Sequence, residues 1–259
     1  MRYIADFHLH SKYSRACAKD LDLEHIQQWA KIKGIDIVGT ADFTHPYWFK
    51  ELKGKLEPVG NGLYQLGSAL SPSPKTEREG GEVGEFSQRE VNFILSGEIS
   101  CIYSQGGKVR RLHILVFAPS LEIAEKINEA LAKIGNLSAD GRPILGLSAK
   151  KLAEIILNVS PECLVIPAHA WTPWFSVFGS YSGFNSLTEC FEELTKHIYS
   201  IETGLSSDPA MNWRLSALDN ITLISNSDAH SPANLGREAN VFEISENKLS
   251  YQEIYRIIK

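Results

Sequence analysis

The sequence has little of what would anchor a chain in a membrane or cross-link it. Its apolar runs are only a handful of residues long, and Asp6 interrupts the N-terminus before a signal-like segment could form. The four cysteines are widely separated and form no C-x-x-C pair, so they predict neither a zinc ribbon nor a redox dithiol. We therefore expect a cytoplasmic protein with no membrane partner, whose cysteines are reduced and mostly buried.

The chain also lacks an excess of basic residues. It has 26 Lys and Arg against 31 Asp and Glu in 259 residues, a formal charge of −5, so no broad attraction to nucleic acid or anionic membranes follows. Hydrophobic residues make up 43% and charged residues 22%, close to the averages for soluble globular proteins, which excludes a disordered or collagen-like chain.

Short apolar runs alternate with segments of helical periodicity. Strands are predicted at residues 3–7, 35–40, 93–97, 112–117, 164–168, 198–203, 221–225 and 241–244, and helices at 23–32, 121–134, 149–157, 187–194, 211–218 and 251–258. This alternation predicts an α/β fold with a parallel sheet and helices outside. The number of units favours a closed or nearly closed barrel over an open doubly wound sheet.

Two polar segments interrupt this pattern. Residues 68–88 contain Ser-Pro-Ser-Pro and then mainly Glu and Gly, which predicts a mobile insertion between two units. At residues 104–108, Gln-Gly-Gly provides the turn of a hairpin.

Acidic residues and histidines follow, or lie within, most of the predicted strands. They are Asp6, His8, His10, Asp42, His45, Glu98, His113, His169, Glu202, Asp228 and His230. Because the carboxyl ends of parallel barrel strands lie at one face, these side chains should converge on one pocket. For Glu202, a ligand, a base behind the ligands and a structural hydrogen-bond acceptor all stay open.

The spacing of these residues points to metal chemistry. His8 and His10 are two residues apart on an extended segment, so both imidazoles can reach one ion, and Asp228 and His230 repeat the spacing. Imidazoles and carboxylates without thiolates suit zinc first, with manganese, iron or magnesium as alternatives, and the donors are too many for one ion. Two or three divalent ions predict phosphoester hydrolysis. Metal-dependent amidohydrolysis is less favoured, because no lysine lies at a strand end and Glu98 is better placed to bridge ions.

These motifs resemble those of the PHP (polymerase and histidinol phosphatase) superfamily. The resemblance lies in residues 6–11, 42–45, Glu98, His113, His169 and 228–230, and it implies a distorted (β/α)7 TIM-like barrel with a trinuclear metal site. Residues 14–16, 39–46, 168–175 and 225–232 are similar more narrowly to endonuclease Q. That family nicks DNA on the 5′ side of uracil, hypoxanthine, xanthine and abasic sites.

The resemblance assigns ligands to three ions. It implies His8, His10, Glu98 and Asp228 for the first ion, Glu98, His113 and His169 for the second, and His230 with Asp42 or His45 for the third. As a hypothesis for the mechanism, Glu98 bridges two ions and Asp228 both ligates and orients the nucleophile. His230 or the third ion would assist the leaving oxygen. PHP proteins commonly have an Asp soon after the H-x-H, where this chain has Ser14-Arg15-Ala16.

The resemblance also covers domain organisation and substrate. It implies a single PHP catalytic domain at residues 1–259, without the zinc module and helical region that follow in endonuclease Q, since no cysteine comes after Cys190. The candidate substrate contacts are Arg15, Trp171, Trp174, Phe175 and Arg237, with Lys108, Arg110 and Arg111 as further basic candidates. The expected function is an endonuclease Q-like DNA endonuclease. A small-molecule phosphatase of the histidinol-phosphatase type and a non-catalytic PHP module stay open as alternatives.

Overall fold

The computed structural model describes residues 1–67 and 90–259, so the insertion predicted at residues 68–88 lies outside the described residues. The strands are β1 (Arg2–Asp6), β2 (Ile37–Gly39), β3 (Leu56–Gly60), β4 (Leu63–Leu66), β5 (Asn92–Ile94), β6 (Ser96–Gln105), β7 (Lys108–Phe117), β8 (Ile144–Leu145), β9 (Leu164–Pro167), β10 (Ser200–Glu202), β11 (Thr222–Ile224) and β12 (Asn240–Glu243). The helices are α1 (Leu23–Lys33), α2 (Pro46–Lys55), α3 (Leu121–Ala132), α4 (Ala149–Val159), α5 (Leu187–Phe191), α6 (Pro209–Asn212) and α7 (Tyr251–Ile258). The predicted α/β class is confirmed.

The strands form three sheets. One sheet has the order β12-β1-β2-β5-β4-β3, the second β8-β6-β7-β9, and the third pairs β10 with β11. The pairs β1–β2, β2–β5, β6–β8 and β10–β11 are parallel, whereas β1–β12, β6–β7 and β7–β9 are antiparallel. The two larger sheets are therefore mixed, and the prediction of a parallel sheet is wrong, because a short hairpin such as β6–β7 joins neighbouring strands in antiparallel order. No closed barrel is found in the part of the chain that the structure describes, so the TIM-like barrel stays a prediction.

Local sequence explains where the main helices begin and end. The side chain of Asp22 accepts a hydrogen bond from the first turn of α1, and Gly34 ends that helix in a left-handed conformation with φ of 71°. Ser120, Ser148 and Ser250 cap α3, α4 and α7 in the same way as Asp22 caps α1. The helices predicted at these positions are confirmed.

The hairpin between β6 and β7 is confirmed, and it places two site residues on one face. Gly106 and Gly107 both have positive φ, 61° and 73°, as a two-residue turn between twisted strands requires. The register pairs Ser100 with His113. Because alternate residues of a strand face the same side, Glu98 lies on the same face as His113.

Several elements differ from the sequence prediction. The hairpin β3–β4 and helix α2 are not predicted, although Pro46 at the first turn of α2 favours a helix start. The helix predicted at residues 187–194 ends at Phe191, because Glu192 adopts positive φ of 50° and a 3-10 turn follows. The helix predicted at residues 211–218 is the short α6 followed by another 3-10 turn.

Two apolar clusters fix the strands that end at the site. The smaller cluster includes Phe7 at the end of β1, whose ring packs edge-on against Phe117 at 5.5 Å, and Ile254 and Ile258 of α7 cover it. The larger cluster packs α1 to α4 against the sheets around the buried Trp48. All four cysteines are free and three are buried, as expected. Within residues 1–67 and 90–259, no helix is long and apolar enough to cross a membrane.

Candidate metal centre

Three groups of imidazole and carboxylate side chains converge where β1, β9, β11 and the β6–β7 hairpin meet. The groups are His8, His10 and Glu98; His10, Asp228 and His230; and Glu98, His113 and His169. Within each group, the nitrogen and oxygen atoms that could bind a metal ion lie within 4.8 Å of one another. We call these atoms the donors and the three sets of residues the donor groups. Because Glu98 and His10 each belong to two groups, the three groups form one continuous site.

Glu98 lies at the centre of this site. Its Oε1 is 3.0 Å from Nδ1 of His113, 3.2 Å from Nε2 of His169 and 3.5 Å from Nε2 of His8. Its Oε2 is 3.5 Å from Nε2 of His10. Oε1 therefore faces three imidazoles and Oε2 faces one, and the two oxygens of this carboxylate could hold two ions.

The electrostatics of the site favour cations. Burial opposes ionisation of Glu98, but His113, His8 and Arg142 outweigh it and hold the pKa of Glu98 well below its usual range. Burial likewise opposes ionisation of Asp228, and His8 and His10 hold its pKa well below normal. Burial lowers the pKa of His113 to about 4, so that imidazole is neutral near pH 7 and can offer a lone pair to an ion.

His8 has a buried nitrogen without a partner. Its Nδ1 lies 3.0 Å from both carboxylate oxygens of Glu202, which fixes the proton on Nδ1. Its Nε2 has no hydrogen-bond partner and is 3.5 Å from both Glu98 and Asp228. An unpaired buried nitrogen beside two carboxylates fits a metal ligand.

His10 is oriented by Asp42. Nδ1 of His10 is 3.3 Å from Oδ1 of Asp42, and Nε2 is 3.1 Å from Oδ1 of Asp228. Oδ2 of Asp42 accepts hydrogen bonds from the backbone N–H and the hydroxyl of Ser11, both at 2.7 Å. The predicted ligand Asp42 thus contacts Nδ1 of His10 and is not a member of the three donor groups found among the described residues.

His230 and His45 lie apart from each other. Nδ1 of His230 donates a hydrogen bond to the carbonyl oxygen of Asp228 at 2.9 Å. Nε2 is therefore the nitrogen whose lone pair could bind a metal ion. His45 stacks on Tyr13 with ring centroids 4.5 Å apart. The structure brings His230 together with His10 and Asp228, and it does not bring His45 or Asp42 into that group within the described residues.

Three residues at strand ends have left-handed backbone. Asp42, His169 and Asp228 have φ of 35°, 29° and 48°. Such residues cost about 1–3 kcal/mol each and persist where their surroundings hold them. The backbone N–H of His169 donates to Glu202 at 2.7 Å, so the carboxylate that orients His8 also fixes this turn. Each oxygen of Glu202 has two hydrogen-bond partners, and Glu202 is not a member of the three groups found among the described residues, so it acts as a hydrogen-bond acceptor that orients the ligands.

Arg142 is part of the site although the sequence gives no indication of it. Its Nη1 donates to Oε2 of Glu98 at 2.9 Å. It lies between α3 and β8, in a segment without periodicity and with no strand directly before it. Asp140 holds this segment, accepting hydrogen bonds from the backbone N–H groups of Arg142 and Arg15 at 3.2 Å each. Arg15, a predicted substrate contact, also forms an ion pair with Asp140 at 3.2 Å.

Two predicted aromatic contacts lie beside the donors on an exposed surface. The ring of Phe175 is 4.6 Å from that of His113. Trp174 stacks on Tyr181 at 4.6 Å, and the guanidinium of Arg111 lies 5.1 Å above Trp174. Trp174 is 47% exposed and Tyr181 is 66% exposed, so part of each ring is open to solvent.

The other two predicted contacts have internal partners. Trp171 donates to Oδ1 of Asn212 at 2.7 Å and packs against Phe178. Nε of Arg237 donates to the carbonyl oxygen of Ser227 at 2.7 Å, directly before Asp228. These side chains hold the segments that present the donors.

The imidazoles and carboxylates of these three groups are ligands that suit divalent metal ions. The particular resemblance that the motifs predict, to endonuclease Q, is confirmed. The chain is 31% identical to the lesion-specific endonuclease Q of Pyrococcus furiosus, with a TM-score of 0.79 over 100% of this chain and 56% of that one. It is 32% identical to an endonuclease Q solved with a 27-mer duplex bearing an abasic lesion, with a TM-score of 0.80 and the same coverage.

A curated relative shows similar overlap. The chain is 31% identical over 250 residues to the uncharacterized protein YqxK of Bacillus subtilis, covering 91% of this chain and 57% of that protein. The chain thus spans little more than half the length of these proteins. No protein-family model matches it.

Proposed function

We propose that the chain is a metal-dependent phosphoesterase of the endonuclease Q type, which cleaves the DNA phosphodiester 5′ to deaminated bases (uracil, hypoxanthine, xanthine) or abasic sites. The observation behind this proposal is the position of Glu98, which is shared by two donor groups: its Oε1 faces His8, His113 and His169, and its Oε2 faces His10. A similar solved protein is bound to duplex DNA with an abasic lesion, which supports DNA as the substrate.

The proposed cofactors are two or three divalent ions, with zinc as the first choice and manganese, iron or magnesium as alternatives. Bound ions would lower the pKa of coordinated water towards about 7 and stabilise the charge on the leaving oxygen. The buried, unpaired Nε2 of His8 and the ionised Glu98 and Asp228 are the features of this chain that fit them.

Each catalytic residue has a role that follows from its place. Glu98 is buried and belongs to two donor groups, so it would bridge two ions. Asp228 is 30% exposed, so its free oxygen can accept a hydrogen bond from the attacking water and orient it. His230 is 32% exposed at the same opening, and its Nε2 would hold an ion that stabilises the charge on the leaving oxygen.

The DNA contacts are proposed at the rim of this opening. Trp174 and Phe175 would stack against bases next to the donors, while Arg15 would meet phosphates. Trp171 and Arg237 would contribute indirectly, because their internal hydrogen bonds hold in place the segments that present the donors.

We also propose that residues 1–259 form a single PHP catalytic domain and that its three sheets are parts of one distorted TIM-like barrel. The convergence of donors from β1, β9, β11 and the β6–β7 hairpin at one place supports this arrangement.

The second candidate function is a small-molecule phosphatase of the histidinol-phosphatase type. The formal charge of −5 favours it, because a small phosphomonoester needs no basic surface. A non-catalytic PHP module has no such support.

The test compares incision of a duplex with one abasic site against hydrolysis of p-nitrophenyl phosphate, using the zinc-loaded chain. We expect incision on the 5′ side of the lesion, lost at least 100-fold in Asp228→Asn and retained in the exposed control Asp219→Asn. Rapid monoester hydrolysis without incision would favour the phosphatase, and neither activity with ions bound would favour a non-catalytic module.

A further inference from the structure

His169 is held both at its backbone and at its ring. The backbone N–H donates a hydrogen bond to Oε2 of Glu202 at 2.7 Å. In the ring, Nδ1 lies 3.0 Å from the hydroxyl oxygen of Thr172, and Nε2 lies 3.2 Å from Oε1 of Glu98. A neutral imidazole carries one proton on one of its two nitrogens, so these neighbours decide which nitrogen keeps a lone pair for an ion.

A tight turn brings Thr172 back to this ring. The backbone N–H of Thr172 donates to the carbonyl oxygen of His169 at 3.1 Å, which closes a turn over residues 169–172. The hydroxyl of Ser176 donates to the carbonyl oxygen of Thr172 and holds the next part of the loop. The hydrogen bonds of its own backbone therefore place the Thr172 side chain beside Nδ1.

The hydrogen of the Thr172 hydroxyl has an acceptor of its own. Oγ1 of Thr172 lies 2.8 Å from the carbonyl oxygen of Trp174 and 3.2 Å from that of His169. A hydroxyl has one hydrogen, and when it points to the nearer carbonyl the oxygen accepts a hydrogen bond from Nδ1 of His169. The proton of the ring is then on Nδ1, and Nε2 presents its lone pair towards Glu98 and His113.

The opposite tautomer of His169 would not bind an ion at this place. Oε1 of Glu98 can accept a hydrogen bond from Nε2, so this carboxylate by itself favours a proton on the nitrogen that the ion needs. The Thr172 hydroxyl offers the proton a partner at Nδ1 instead. The two neighbours thus favour different tautomers, and the hydroxyl favours the one that binds metal.

We infer that Thr172 is a positioning residue of this site: its hydroxyl holds the proton of His169 on Nδ1 and so keeps Nε2 available to an ion. The inference rests on the proposed function, because it takes Glu98, His113 and His169 as a metal-binding group. The acceptor that orients the hydroxyl is the backbone oxygen of Trp174, so the indole side chain is not needed for this role. Replacing such a partner of a metal-binding histidine lowers metal affinity about 10–100-fold.

The first arm of the test measures zinc affinity by competition with a chelator. Thr172→Val keeps the shape of the side chain without the hydroxyl, and Thr172→Ala removes the hydroxyl without adding bulk. Both should bind zinc about tenfold or more weakly, whereas Thr172→Ser should keep most of the affinity because it retains the hydroxyl. Thr195→Val is the matched control, since the Thr195 hydroxyl donates to the carbonyl oxygen of Glu192 at 2.7 Å, outside the donor groups found in the described residues.

The second arm replaces zinc with Co²⁺, which accepts the same nitrogen and oxygen ligands and whose visible absorption spectrum reports their arrangement. Thr172→Val and Thr172→Ala should change this spectrum, and Thr172→Ser should restore it. Unchanged zinc affinity in both variants without the hydroxyl would overturn the inference. A Thr172→Ser variant that binds zinc as weakly as Thr172→Val would also overturn it, because the loss would then not depend on the hydroxyl.

Neither arm uses DNA, so the inference and the proposed function can fail separately. Zinc binding that depends on the Thr172 hydroxyl, without incision of a damaged duplex, would leave the inference standing and contradict the endonuclease. Zinc-dependent incision by a chain whose zinc affinity does not depend on Thr172 would do the reverse.

Discussion

Both carboxylate oxygens of Glu202 lie 3.0 Å from Nδ1 of His8, in a fully buried pair. The same carboxylate accepts the backbone N–H of His169 at 2.7 Å. One residue thus positions His8 and His169, which belong to different donor groups.

Replacing Glu202 by Gln should weaken zinc binding. An amide has one acceptor oxygen in place of two and directs N–H groups at its neighbours, so His8 and the turn at His169 both lose support. We expect zinc affinity to fall about 10–100-fold, measured by competition with a chelator. Glu193→Gln is the matched control, since that carboxylate is exposed and pairs with Lys150. Equal affinities in the two variants would show that Glu202 does not position the donors.

Gly141 should not tolerate a side chain. A methyl group there would overlap Asp42 and Ser14, whereas Gly146 has nothing within 4 Å of the same position. Gly141→Ala should lower the free energy of unfolding by about 1–3 kcal/mol, as overpacked sites do. Gly146→Ala should change it by less than about 0.5 kcal/mol. Urea titration of both variants measures this difference, and equal midpoints would contradict the close packing of the segment.

Zinc should stabilise the fold through the donors. A ligand that binds only the folded state at 100 times its dissociation constant adds about 2.7 kcal/mol. The melting temperature of the stripped chain should therefore rise on adding zinc. The rise should be largely lost in Glu98→Gln, because two of the three donor groups share Glu98. A full zinc-dependent rise in that variant would contradict the bridging position of Glu98.

The exposed stack of Trp174 on Tyr181 should contribute to DNA binding. Base stacking on an aromatic side chain is worth about 1–3 kcal/mol per base. Trp174→Ala should therefore weaken binding of a duplex with an abasic site about 5- to 150-fold in a fluorescence anisotropy titration, with the zinc content unchanged. Trp213→Ala serves as the control, because Trp213 is also highly exposed. Unchanged binding in Trp174→Ala would exclude this surface from the DNA interface.

Much of the donor set could be predicted because strand ends follow from local sequence. The H-x-H spacing on an extended segment put His8 and His10 on one side, and the register set by Gly106 and Gly107 put His113 beside Glu98. These relations depend on residue order and the two-residue period of strands.

The remainder depends on tertiary contacts that local sequence does not encode. Asp42 follows a strand just as Asp228 does, yet it accepts three hydrogen bonds from Ser11 and Ser14 and lies outside the donor groups found among the described residues. Arg142 reaches Glu98 from a segment without periodicity, so no pattern could single it out. The barrel likewise depends on how three sheets meet, which strand prediction alone does not decide.

The most direct test of the central claim is incision of a DNA duplex with a single abasic site by the stripped chain before and after zinc is restored. We predict no incision by the stripped chain, and a single nick on the 5′ side of the lesion once zinc is bound, with no cleavage of the undamaged duplex. Absence of any incision by a chain shown to hold its zinc ions would contradict the claim that this site hydrolyses DNA phosphodiesters.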